Sequence, residues 1–285
     1  MPVAPLPPSG AVLVTGCSSG IGHATALRLA RSGLAVHATA RRPDRLTELE
    51  AAGCTTGPLD VTDDDSAAHA VEEARERHGA VVALVNNAGY GEYGPVEEVS
   101  LEAARRQLET NVIGVARLTR LVLPGMREAG AGRVVTIGSM GGRLTFPGGG
   151  WYHASKHALE ALHDALRVEV APFGVGVSLV EPGLIRTEFG ATATGTLTGT
   201  RTEGEGPYAG LVASVEQGMA GSYDNRVLSA GPDAVARAVE HAVTARRPRS
   251  RYVVTPAARG LIGLRRLGGD RVWDAFVRRQ FSLPA

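Results

Sequence analysis

The sequence predicts an α/β fold, a Rossmann-like doubly wound parallel sheet with helices on both faces. Two observations carry that expectation. Short apolar runs bounded by turn residues alternate with segments of helical period from Ala11 to about Val180, without a linker or a break in composition, and such alternation is the mark of βαβ units. Several runs, such as "VVALV" at 81–85, are apolar throughout rather than at every second residue, which suits strands covered on both faces.

Taken in order, strands are expected near 11–15, 34–39, 81–86, 132–138 and 175–180, with a weaker one at 54–59 and a late one at 251–254. Helices are expected near 20–32, 63–79, 101–129, 153–172 and 232–246. In the helices at 101–129 and 153–172, Leu108, Val112 and Val115, and Leu159, Leu162, Leu166 and Val170, recur at helical spacing, giving apolar faces for the sheet or for a second subunit of a homodimer or homotetramer. Residues 183–231 change in character: "ATATGTLTGTRTEGEGPYAG" is poor in large apolar residues and rich in Gly and Thr, and a loop of that length in a compact domain reads as a lid or a disordered segment. A substrate lid is therefore expected at 190–230, with Leu144, Phe146, Trp151, Tyr208 and Leu211 lining an apolar cleft beneath it. Residues 256–285 mix apolar and basic residues and read as a C-terminal helical extension, and 1–10 as a flexible leader, all within one domain spanning 1–285.

The bulk composition narrows the function classes. A chain of 285 residues buries roughly three quarters of its unfolded surface and needs no covalent staples. Only Cys17 and Cys54 are present, and "MPVAPLPPSG" has neither a basic nor an apolar segment of a signal peptide, so a reducing cytoplasm is the expected home. No apolar run approaches the ~20 residues of a membrane span. A net charge of +1 argues against a nucleic-acid partner, and "ARRPRSR" at 245–251 reads as a solvated or anion-touching surface loop.

Strand "AVLVTG" runs directly into "CSSGIGHATALRLA", placing Gly16, Gly20 and Gly22 between a strand and a helix. Glycines there let the backbone turn tightly and approach a pyrophosphate at the positive end of the helix. After the second strand stand Arg41 and Arg42, where an NAD site would carry an acidic residue for the ribose. An arginine suits a 2′-phosphate, because its planar donors pair with phosphate oxygens two at a time, so NADP(H) is the expected cofactor. Asp60, in "PLDVTDDD", accepts from the adenine amino group or starts the next helix as its N-cap.

These segments, with others in fixed order, resemble the short-chain dehydrogenase/reductase family: "TGCSSGIG" at 15–22, "LDVTD" at 59–63, "NNAG" at 86–89, "ETNVIG" at 109–114, "GSMGG" at 138–142, "YHASK" at 152–156 and "PGLIRT" at 182–187. The resemblance covers about Val12 to Thr187. It implies that Ser139, Tyr152 and Lys156 are catalytic, with Asn111 as a fourth member. It assigns cofactor binding to Gly16, Ser18, Ser19, Gly20, Ile21, Gly22, Arg41, Asp60, Val61, Asn87, Ala88, Gly89, Pro182, Gly183, Ile185 and Thr187, together with Tyr152 and Lys156. Asn87 then supports the cofactor side of the sheet, and Ile185 and Thr187 hold the nicotinamide carboxamide. The flanking text "ATARRPDRL" and "GSMGGRLTFP" is similar to the branch of retinol and estradiol-type hydroxysteroid dehydrogenases, which implies an apolar carbonyl or alcohol substrate of steroid, retinoid or polyketide type.

The chemistry explains why Tyr152 and Lys156 stand one helical turn apart. Reducing a carbonyl requires a proton for the developing alkoxide, and a free tyrosine, near pKa 10, is too weak an acid. An ammonium on the same helical face favours the ionised phenol, and in this family such a lysine also binds the ribose. Ser139, at the end of "RVVTIGS", adds a second donor to the same oxygen. Asn111 interrupts a helical pattern where asparagine is a poor former, and is assigned a water that links Lys156 to solvent.

Other chemistries fit less well. His153 and His157 lie four apart, but no HExxH glutamate or third ligand accompanies them, so no metal is expected and both read as helix surface or pocket lining. The serines of "GCSSG" lack the G-x-S-x-G frame of a hydrolase elbow. Two alternatives stay open: an NAD(H)-preferring alcohol dehydrogenase, and a non-catalytic dinucleotide sensor. A sensor is expected to have lost the Ser, Tyr and Lys set, which is intact here. A basic-surface binding module is disfavoured by the near-zero net charge.

Overall fold

In the computed structural model, residues 3–199, 206–225 and 228–281 are described. Strands β1 (Ala11–Thr15), β2 (Val36–Ala40), β3 (Thr55–Pro58), β4 (Val81–Asn86), β5 (Gly132–Ile137) and β6 (Val175–Glu181) lie within two residues of their expected positions. Two short strands, β7 (Leu184–Ile185) and β8 (Ser229–Ala230), pair apart from the main sheet and have no counterpart in the sequence reading, and β9 (Arg251–Val253) is the late strand. Among the described residues the main sheet has seven parallel strands in the order β3-β2-β1-β4-β5-β6-β9. The order reverses between β1 and β4, which opens a crevice beyond their carboxyl ends.

Strands β1, β4, β5 and β6 are buried along their whole length. Helix α1 (Gly20–Arg31), the short α2 (Thr47–Ala51) and α9 (Pro232–Thr244) cover one face, where Val12 and Val14 pack with Leu29, Leu49, Val235 and Val239. On the other face Leu13 and Leu84 pack with α3 (Asp64–His78) and α5 (Gly114–Glu128) through Val71, Leu118 and Val122. Adjacent β1 residues thus feed opposite cores, which is why the runs are not alternating.

The stretch expected as one helix at 101–129 is divided. Helix α4 (Leu101–Leu108) passes through a π-turn, Glu109–Ile113, into α5, and Asn111 sits in that turn. Helix α6 (Gly150–Glu169) starts three residues earlier than expected, so Tyr152 lies in its first turn.

Three expectations are corrected. Residues 3–10 are not a loose leader: Leu6 packs on the core, Val3 N–H donates to Arg246 O at 3.3 Å, and the buried Arg133 donates to Ala4 O at 2.8 Å. The Gly- and Thr-rich segment is largely helical, as α7 (Glu188–Gly199) and α8 (Ala209–Asp224), with 200–205 outside the described residues. It also has a small core, because Leu197, Val212 and Val215 meet Phe281, just beyond α10 (Pro256–Gln280). The few apolar residues of the segment converge on an aromatic supplied from far along the chain, which local composition does not reveal. Finally, Arg251 of the "ARRPRSR" run points inward, pairing with Glu160 at 2.8 Å and with Asp164 at 2.8 Å.

Candidate active site

The site begins at the glycine turn between β1 and α1. Gly16 and Gly20 hold φ of +70° and +58°, a region that costs residues with a Cβ. A Cβ on Gly22 would lie 2.2 Å from Gly16 O, and one on Gly16 would lie 2.9 Å from Ala88 Cα. Gly22 therefore does not line the cleft; it lets α1 seat behind the turn. The Ser19 side chain makes no capping bond, and the first turn of α1 carries no acidic residue, so its N–H groups and positive helix end are left for an anion. This cradle fits a dinucleotide pyrophosphate. Asn87 joins the crevice walls, donating from Nδ2 to Thr15 O at 2.9 Å and to Gly16 O at 3.0 Å.

At the far end of the crevice, Arg41 and Arg42 line the wall together with Arg45 and Arg106, the latter two not singled out in the sequence. Arg45 follows in a short 3₁₀ turn after β2, and Arg106 reaches in from α4; neither belongs to a motif. Asp60 does not cap α3; Asp63 does, accepting from Ser66 N–H at 2.6 Å. Asp60 instead accepts from Thr62 N–H at 2.9 Å and Thr62 Oγ1 at 2.7 Å. Burial pulls its carboxyl up, but those two bonds and the charges of Arg41 and Arg117 outweigh it and hold the pKa below the usual value.

At the near end, Ser139, Tyr152 and Lys156 face the same crevice. Ser139 caps a 3₁₀ turn, Met140–Gly142, its Oγ accepting from Gly141 N–H at 3.0 Å. Lys156 is 8% exposed, its Nζ donates to Ile137 O at 2.8 Å and lies 5.9 Å from the Tyr152 ring centre, and burial pushes its pKa down to about 8. Asn111 does not reach the crevice wall. Its Nδ2 donates to Tyr90 O at 2.9 Å and Ser155 Oγ at 3.1 Å, and its Oδ1 accepts from Tyr90 N–H at 3.1 Å. The side chain thus ties the loop after β4 to α6, leaving little of it for a water.

The whole cleft measures about 1450 Å³ and is walled beyond Ser139, Tyr152 and Lys156 by Tyr93, Phe146, Phe189, Val215, Met219, Leu261, Leu264, Phe276 and Phe281. Of the apolar lining read from sequence, Phe146 is on the wall; Leu144 is buried away from it, Tyr208 and Leu211 pack into the small core of α7 and α8, and Trp151 is not part of the wall. Ser18, Ser19, Ile21, Val61, Ala88, Gly89, Pro182, Gly183, Ile185 and Thr187 all line the cleft. His153 is buried at the cleft wall, whereas His157 is exposed on a shallow depression with Glu160 and Arg251. Among the described residues no group of three metal-ligating side chains converges, and no helix is long and apolar enough to cross a membrane.

The family model of the short chain dehydrogenases matches residues 10–197. The chain belongs to the short-chain dehydrogenase family. Among its relatives, this dehydrogenase is 37% identical over 268 residues to the uncharacterized oxidoreductase YbbO of Escherichia coli, covering 94% of the chain and 93% of the relative. It is 37% identical to human retinol dehydrogenase 5, over 87% of the chain and 81% of that protein. Of the solved structures, a short-chain dehydrogenase/reductase of Burkholderia phymatum in complex with NAD superposes with a TM-score of 0.78 at 26% identity, over 90% of this chain and 92% of the other. The protein is thus an oxidoreductase of a family that uses nicotinamide dinucleotides, with a retinol-type relative.

Proposed function

We propose that the protein interconverts a ketone and a secondary alcohol, or an aldehyde and a primary alcohol, on a bulky apolar substrate with NADP(H). The observation that carries this reading is that Ser139, Tyr152 and Lys156 line one cleft with the glycine cradle at its other end. The turn at 16–22, Arg41, Asp60, Val61, Asn87, Ala88, Gly89 and the 182–187 segment would hold the cofactor, whose nicotinamide supplies or accepts the hydride when bound. Tyr152 gives or takes the proton at the substrate oxygen, and Ser139 donates a second hydrogen bond to it. The Lys156 ammonium favours the ionised phenol and holds the ribose. A relay water at Asn111 rests on its main chain, since its amide is engaged with Tyr90 and Ser155.

The aromatic wall supports an apolar substrate, and Arg41 with Arg42 and Arg45 supports the 2′-phosphate. Helices α7 and α8 lie over this wall through Phe189, Val215 and Met219, which supports their role as a cover. Exposed apolar Leu101, Ile113, Leu162 and Val168 support pairing into a homodimer or homotetramer through the 101–129 and 153–172 stretches, in a cytoplasmic enzyme. The test is turnover of a panel of cyclic, aryl, steroidal and long-chain ketones and their alcohols, followed by absorbance of the reduced nicotinamide. Turnover of the bulky apolar members is expected; absence of any turnover with either cofactor would favour the sensor reading.

A further inference from the structure

We propose that His153 is a positioning residue: its ring holds the turn that carries Ser139 against the first turn of α6, so that Ser139 and Tyr152 present their hydroxyls to one oxygen. This rests on the reading of those two hydroxyls as the donors of the reaction.

The connection runs through three atoms. Ser139 Oγ accepts from Gly141 N–H at 3.0 Å, and the carbonyl of the same Gly141 is 3.0 Å from His153 Nδ1. A carbonyl only accepts, so Nδ1 carries the proton and donates, which leaves Nε2 as the lone-pair nitrogen. His153 directly follows Tyr152 on α6, and their rings meet edge to face at 5.5 Å. One residue, Gly141, is thereby bonded through its N–H to Ser139 and through its carbonyl to the neighbour of Tyr152.

The ring also explains two glycines that no turn geometry requires. A Cβ on Gly141 would lie 2.6 Å from His153 Nδ1, and a Cβ on Gly149 would lie 2.9 Å from Nε2. The imidazole is clamped between the "GSMGG" and "PGGG" glycines, with Phe146 at its edge, 6.1 Å between centroids. The clamp leaves His153 3% exposed and Nε2 buried, with no hydrogen-bond partner among the described residues. An apolar residue of that size would fill the slot without burying an unpaired nitrogen; what it would lack is the donor to Gly141. Burial pushes the histidine pKa down to about 4, so the ring is neutral at physiological pH and its single proton stays at Nδ1. Metal ligation is not served by this geometry, because Nε2 is sealed by Gly149 and the histidine one turn on bonds back to the His153 carbonyl at 2.9 Å.

The test is a double-mutant cycle on the purified full-length enzyme, using the fastest ketone of the panel above. His153→Phe keeps a ring without the donor, and His153→Asn restores an N–H near the position of Nδ1. The Phe variant is expected to lose at least tenfold in kcat with cofactor affinity unchanged and KM within about twofold, and the Asn variant to recover most of that loss. In a Ser139→Ala background, read by residual single-turnover rate, His153→Phe is expected to cost less than threefold, since residues acting through one contact are not additive. Equal losses in both backgrounds, or an Asn variant as slow as Phe at an unchanged melting temperature, would overturn the positioning role. If the Phe variant does not fold, a folded Asn variant at wild-type kcat upholds the role and one slowed tenfold overturns it. Full kcat in His153→Phe beside an inactive Ser139→Ala overturns the role of His153 alone, whereas full activity in Ser139→Ala overturns the reading of the site as well.

Discussion

Lys156 and Tyr152 stand one turn apart on α6, with the ammonium 5.9 Å from the ring centre. The lysine that is assigned to tune the tyrosine is itself tuned, because burial pushes its pKa down to about 8. Its charge is therefore present below that pH and lost above it. On the proposed mechanism, kcat/KM of the free enzyme is expected to fall as pH rises through about 8. A profile that stays flat from pH 7 to 9 would show that the ammonium does not support the phenol. Lys156→Ala is expected to lose both rate and cofactor affinity, readable separately by single-turnover kinetics and fluorescence titration.

Tyr152→Phe keeps the ring that packs on Tyr93 and Phe189 and removes the hydroxyl that carries the proton. Turnover is expected to drop by ~10²–10⁴, the range that a positioned acid supplies, while the cofactor still binds. Near-normal turnover would take Tyr152 out of the chemistry.

Glu181 ends β6, next to Pro182 of the proposed nicotinamide loop, and is fully buried between Glu160, Arg143 and Arg251. Burial, and then the Glu160 charge, push its carboxyl up to about 7, against the opposing pull of both arginines. A folded pKa above the unfolded one means the native state binds the extra proton, so stability is greatest below the unfolded pKa and is lost as pH rises toward 7. Glu181→Gln, a permanent stand-in for the protonated acid, is expected to flatten that decline. Urea unfolding at half-unit steps from pH 5 to 8 measures it, and parallel pH dependences for the two proteins would refute the assignment.

Arg41→Asp is expected to reduce the preference for NADP(H) by about ten- to a hundredfold, the worth of one charge-assisted contact to phosphate. Arg42 and Arg45 line the same wall, so Arg41→Asp with Arg45→Ala is expected to shift further toward NAD(H). Equal use of both cofactors by the unmodified enzyme, measured as the ratio of kcat/KM, would remove the basis for the preference.

The sheet was readable because β1 and β4 are nearly continuous apolar runs, β5 and β6 are Val-rich, and the turns after them carry the motif residues. Ser139, Tyr152 and Lys156 could be singled out because "GSMGG" and "YHASK" resemble motifs of the short-chain dehydrogenases, and all three line one cleft. Arg106 and the aromatic wall from Tyr93, Phe189 and Phe276 were not, since they come from three helices and a loop and share no pattern. The same holds for His153, whose sequence neighbourhood reads as an ordinary helix. Asn111 stood out as a poor helix former, yet its partners, Tyr90 and Ser155, were out of reach of a local argument.

By itself the sequence determined what local chemistry determines: the strands of the main sheet and its longer flanking helices, where the backbone needs glycine, and which motif residues follow strand ends. The tertiary structure alone decided the rest: that a Gly- and Thr-rich segment becomes two helices anchored on Phe281, that Arg251 turns inward onto buried carboxylates, and which side chains wall the cleft. These depend on contacts between residues tens to hundreds of positions apart, and such contacts form only where the whole chain closes an interior in which apolar burial and paired charges outweigh the cost of the polar groups buried with them.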